Sequence, residues 1–76
     1  MKQFTRITHD INIMGGKACI RETRCTVGMI VSQLSVGKSP DALVEDFPYL
    51  SHEDIFESLR YAAWVLDSRE VEIIPA

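Results

Sequence analysis

A 76-residue chain, 46% hydrophobic and 25% charged with a net charge of −3, makes one small globular domain and excludes disorder over most of its length. A domain of this size buries only roughly 60% of the surface its unfolded chain exposes, so a disulfide, a metal or a second chain commonly adds support. The polar start MKQFTRITHD is no secretory signal, no apolar run reaches the ~20 residues of a membrane span, and Cys19 and Cys25 are too few for a secreted disulfide scaffold; the expected setting is the cytosol, away from membranes, with oligomerisation as the support.

In chain order, residues 1–25 read as a basic, turn-rich β part. Phe4 to Thr8 alternates with strand period, Ile11 to Met14 does so again, Gly15-Gly16 supplies a tight hairpin turn, and Ala18 to Arg21 can return as a strand. Residues 26–67 read as three helices. Thr26 caps the first, whose Val27, Ile30, Val31 and Leu34 line one face to about Val36, and Gly37 suits a left-handed C-terminal cap. Ser39-Pro40 opens a second, barely two turns long, closed before Pro48. Ser51, with Asp54 three residues on, opens the third, about His52 to Asp67. Its core face is read as Ile55, Leu59, Ala62, Ala63 and Leu66, flanked by Phe56. Residues 68–76 form a tail in which Val71 to Pro75 can make a last short strand. The fold class is therefore mainly α: a single helix-turn-helix-like domain over 1–76, with an N-terminal β-hairpin element and a short C-terminal strand.

Charge divides the chain. Up to Lys38 six basic residues face two acidic ones, a net +4, whereas from Ser39 two basic residues face nine acidic ones, a net −7. Such a split suits two partners, one anionic and one cationic, or else the acidic half is simply a solvated surface. Lys17, Arg21, Arg24 and Lys38 are the candidate phosphate-contacting residues. In an ordinary helix-turn-helix protein the start of the last helix enters the major groove. Here that start reads Ser51-His52-Glu53-Asp54 with Glu57 a turn later, and carboxylates repel phosphate.

No catalytic set stands out. His9-Asp10 and His52-Glu53-Asp54 are the places where a histidine adjoins carboxylates, and no serine, cysteine or lysine has a nucleophile's setting nearby. Cys19 and Cys25, five residues apart, do not match zinc-ligand spacing, and Gly15-Gly16-Lys17 lacks the rest of a phosphate-loop motif. The expectation is a non-enzymatic protein without metal or cofactor. For protein binding, Tyr61, Trp64 and Val65 fall outside the presumed core face of the third helix, and Trp64, among Glu53, Glu57 and Arg60, is either a buried-interface anchor or the floor for the folded-back tail. Arg69 and Ile73 extend this candidate interface into the tail.

The order His9-Asp10, Ile13-Met14-Gly15-Gly16-Lys17, Cys19-Ile20-Arg21, Thr23-Arg24, Thr26-Val27, then Ser39-Pro40, Phe47-Pro48-Tyr49-Leu50 and Tyr61-Ala62-Ala63 resembles a bacterial and archaeal family, domain of unknown function 433. The resemblance covers roughly residues 5 to 65. It implies a helix-turn-helix-like fold and, for many members, an antitoxin partnered with a PIN-like ribonuclease toxin. The expected function is thus an antitoxin that neutralises such a toxin as a homodimer and regulates its own operon through operator DNA; the alternative is a stand-alone DNA-binding regulator. The chain departs from the family with Ala18 where proline is usual and Glu22 where glycine is usual.

Overall fold

The structure, a computed structural model, describes residues 3–69. Its elements are β1 (Ile7–Thr8), a 3-10 turn (Met14–Gly16), β2 (Cys19–Ile20), α1 (Val27–Ser35), α2 (Pro40–Asp46) and α3 (His52–Arg69). The mainly α architecture with a small N-terminal hairpin agrees with the sequence reading. The expected C-terminal strand, and Ile73 with it, lies outside the described residues.

The hairpin is smaller and differently joined than its alternation suggests. β1 pairs antiparallel with β2, Ile7 opposite Ile20 and Thr8 opposite Cys19. The segment Ile11 to Met14 makes no strand: the Asp10 carboxylate accepts from the Asn12 N–H at 2.9 Å, and the 3-10 turn follows. Gly15-Gly16 therefore ends a ten-residue connection instead of forming a two-residue hairpin turn. A third line of chain joins the sheet, since Ile20 N–H donates to the Cys25 carbonyl at 2.9 Å and Cys19 bridges Thr26. Between them, Ile20 to Thr23 forms a turn in which Glu22 has φ 66°. That left-handed backbone favours glycine, because an L side chain crowds the following carbonyl.

Each helix starts where its cap stands. The Thr26 hydroxyl accepts from the Met29 N–H at 3.0 Å, and the Ser39 hydroxyl accepts from the Ala42 N–H at 3.1 Å. Ser51 and Asp54 cap reciprocally: Asp54 N–H donates to the Ser51 hydroxyl at 3.2 Å, and Ser51 N–H donates to the Asp54 carboxylate at 2.9 Å. Aspartate does here what glutamate usually does in a capping box. At the end of α1, Gly37 takes φ 96°; its N–H donates to the Leu34 carbonyl and that of Lys38 to the Gln33 carbonyl, which satisfies two otherwise orphaned acceptors.

The core gathers Phe4, Ile7, Ile20, Cys25, Val27, Ile30, Leu43, Leu50, Ile55 and Tyr61. Ile30, Leu43 and Ile55, one from each helix, are fully buried. Ser58 is buried with them, and its hydroxyl donates to the Asp54 carbonyl one turn back at 2.8 Å.

The core face of α3 differs from the periodicity reading. Its buried residues are Asp54, Ile55, Glu57, Ser58 and Tyr61, and Val65 packs against the same cluster. Leu59, Ala63 and Leu66, expected inside, are exposed, as is Phe56. The hairpin claims the other side of the helix instead: Phe4 meets the Tyr61 ring edge-on at 5.4 Å, Arg6 N–H donates to the Glu57 carboxylate at 2.6 Å, and the Arg6 guanidinium reaches Asp54 at 3.1 Å.

Candidate protein-binding face

Four large apolar side chains, Phe56, Leu59, Trp64 and Leu66, are exposed on α3. At 100° per residue, its charged positions Glu53, Arg60 and Asp67 form one narrow row, and apolar side chains occupy both flanks. A helix apolar over so much of its circumference needs cover from more than one direction. The described residues cover one. On one flank of the charged row, Trp64 rests on Phe4 at 5.7 Å and stacks beside Tyr61 at 6.1 Å, yet keeps 43% of its surface exposed. On the other flank runs the stripe of Phe56 (41% exposed), Leu59 (40%), Ala63 and Leu66 (58%). Beside Leu66 a groove of about 360 Å³ opens between α1 and the second half of α3, lined among others by Gly28, Val31, Ala62 and Val65.

Of the residues expected at a protein interface, Tyr61 and Val65 belong to the chain's own packing, which corrects their placement outside the core face. Trp64 alone of the three is substantially exposed. It does not sit among three charged neighbours on the wet side, because Glu57 is buried beneath the hairpin. The side chain of Arg69 and the whole of Ile73 fall outside the described residues.

Three of the four basic residues lie around β2, and the fourth lies at the far end of α1. Lys17 precedes β2, and Arg21 and Arg24 border the turn beyond it; all three are exposed. The Arg21 guanidinium donates to the Thr5 carbonyl at 3.2 Å. Lys38 lies past the far end of α1, roughly a 13 Å helix away from Thr26, and pairs with Asp46.

Both histidines make hydrogen bonds that tie separate elements together. His9 Nδ1 lies 3.1 Å from the Gly16 carbonyl, which can only accept, so this nitrogen carries the proton and Nε2 accepts from the Tyr61 hydroxyl at 3.2 Å. His9 thereby ties the 3-10 turn to α3, a role invisible in the sequence because its two partners are unrelated in spacing. His52 Nε2 pairs with Asp41 at 2.6 Å between α2 and α3. Cys19 and Cys25 are buried free thiols. Burial pushes both up from their ordinary ionisation, and for Cys25 the neighbouring Cys19 adds to the rise while a hydrogen bond from Tyr49 opposes it. Among the described residues no group of three or more His, Cys, Asp and Glu side chains is placed to hold a metal ion, and no helix is long and apolar enough to cross a membrane.

The architecture is that of a small helical domain with an N-terminal hairpin, and one solved structure shares it closely. A crystal structure of a member of the same family from Anabaena variabilis superposes with a TM-score of 0.77 at 25% identity, over 88% of this chain and 67% of that one. No match was found among curated proteins. The profile of the family described as a protein of unknown function, DUF433, matches residues 7–62, and the chain belongs to that family.

Proposed function

We propose that this chain is a non-enzymatic, antitoxin-like protein that binds and neutralises a PIN-like ribonuclease and acts as a homodimer in the cytosol. The observation that carries the reading is α3, whose apolar flanks exceed what the described residues cover and which leaves a half-exposed tryptophan braced by Phe4 and Tyr61. A rigid, half-buried aromatic is a frequent anchor in protein interfaces. The antitoxin role itself comes from the family resemblance in the sequence. Co-expression with a PIN-like nuclease encoded beside this chain tests it. A stoichiometric complex with suppressed RNA cleavage is the expected result, weakened by Trp64→Ala without loss of helical signal. Nuclease activity unaffected by an excess of this chain sinks the reading.

A second reading, binding to operator DNA, is favoured by the exposed Lys17, Arg21 and Arg24 around β2. The start of α3 contributes little to it, since Asp54 and Glu57 are committed to Arg6. Gel shifts on the chain's own promoter across a salt series decide the matter, because phosphate contacts weaken steeply with salt. No shift at low salt, alone or with the toxin, removes it.

A further inference from the structure

We infer that the groove between α1 and α3 is the seat of this chain's own tail, which folds back from the end of α3 and places Ile73 there. Ile73 lies outside the described residues, so the argument runs from the groove and from the sequence. The inference goes beyond the reading above and needs no nuclease partner; it gives Ile73 to its own chain instead of to an interface.

The groove, about 360 Å³, suits an aliphatic occupant. Among the described residues no charged side chain lines it, and the one hydroxyl there, that of Tyr61, is bonded to His9. Gly28 is the more telling feature. A Cβ built on it would meet only the Thr26 hydroxyl, at 4.0 Å, so nothing in the described packing requires glycine. Alanine at this second position of α1 would hold the chain better, by restricting its unfolded state. A segment laid close against the backbone of α1 gives the glycine its reason.

Direction and reach agree with such a segment. At 100° per residue, position 69 falls between positions 65 and 66 round α3, so the chain leaves the helix on the groove side. Ile74-Pro75 opposes continued helix, since the residue before a proline is pushed toward extended backbone. Val71 and Ile73 are β-branched and alternate with Glu70 and Glu72, so an extended tail carries its apolar side chains on one face and its carboxylates on the other. Two residues of extended chain span roughly 7 Å, and one helical turn spans roughly 5 Å. A reversal at Arg69-Glu70 therefore brings Ile73 back over Val65 and Ala62, beside Gly28, with Val71 at the mouth of the groove. Tethered so closely, Ile73 meets the groove at an effective concentration of about a millimolar or more, which favours it over a free peptide.

Solution NMR and thermal melting on the whole chain test the proposal. Nuclear Overhauser contacts are expected from the Ile73 methyls to the Gly28 α-protons and the Val65 methyls, and a mixed labelled and unlabelled sample should place them within one molecule. Ile73→Asp should lower the melting temperature by about 5 °C or more, and Ile74→Asp, on the outward face, by much less. Gly28→Ala should lower it in the wild-type chain, where the methyl displaces the tail, and raise it in the Ile73→Asp chain, where the groove is empty. Ile73 methyls without these contacts overturn the proposal, as do contacts found only between molecules. Equal losses from Ile73→Asp and Ile74→Asp overturn the register, and a Gly28→Ala that raises the melting temperature in both chains overturns the close approach at Gly28. Failure to bind a PIN-like nuclease alters none of these outcomes, so the two ideas fail separately.

Discussion

The two halves of α3 are built for different work. From Ser51 to Tyr61 the helix spends its polar groups inside the chain: Asp54 caps its own first turn and holds Arg6, Glu57 accepts the Arg6 N–H, and Ser58 bonds back to Asp54. Ile55 fills the centre of the core. From Ala62 onward Val65 packs against that core and Trp64 rests on Phe4 and Tyr61 at its edge, while Trp64 and Leu66 carry exposed apolar surface. The first half holds the hairpin to the helices, and the second leaves Trp64 and Leu66 substantially exposed. Polar groups buried early in the helix, with Phe56 and Leu59 exposed beside them, are the reverse of what a single amphipathic face would show.

Substitutions can sharpen or break this contrast. The largest effect is expected from Ile55→Ala, which empties a fully buried site and should cost about 2–4 kcal/mol in denaturant unfolding. Leu66→Ala, measured at low protein concentration, should stay within about 0.5 kcal/mol; an equal loss at both sites would mean that the second half is core after all. Glu57→Ala leaves the half-buried Arg6 N–H without its acceptor and should cost about 1–2 kcal/mol, with proteolysis at the hairpin as the accompanying sign. Glu22→Gly relieves the left-handed backbone of the hairpin turn and should raise stability by about 0.5–1 kcal/mol. The smallest effect is on pH dependence. The native thiols of Cys19 and Cys25 are pushed up by burial, so the native state favours their protonated form. Their contribution is complete below the ordinary thiol value and is lost as the pH rises through the native one. Melting temperature should therefore fall at alkaline pH, and this fall should shrink in a variant carrying Ser at both positions, leaving the part due to Tyr49, whose phenol is also pushed up by burial.

Local chemistry made much of the fold legible. Thr26, Ser39 and Ser51 mark helix starts because a side-chain oxygen and the N–H groups it serves lie within three residues. Gly37 marks an end for the same short-range reason. The family pattern was legible too, through the run from His9 to Val27 and the later Phe47-Pro48-Tyr49-Leu50. The strand pattern of Ile11 to Met14 misled, because alternation signals a strand only where a neighbour pairs with it, and here the Asp10 turn intervenes.

The sequence by itself determined three capped helices, a basic turn-rich start and a last helix with large apolar residues on more than one side. Only the tertiary structure decided which side turned inward. Periodicity could not choose, since apolar residues lie on both flanks of the Glu53, Arg60 and Asp67 row. The choice fell to Arg6 and Phe4, about fifty residues away in the chain, which bind Asp54, Glu57 and Tyr61 and turn that side inward. Burying a carboxylate costs several kcal/mol unless a donor meets it, and that donor comes from a segment whose approach no local pattern records.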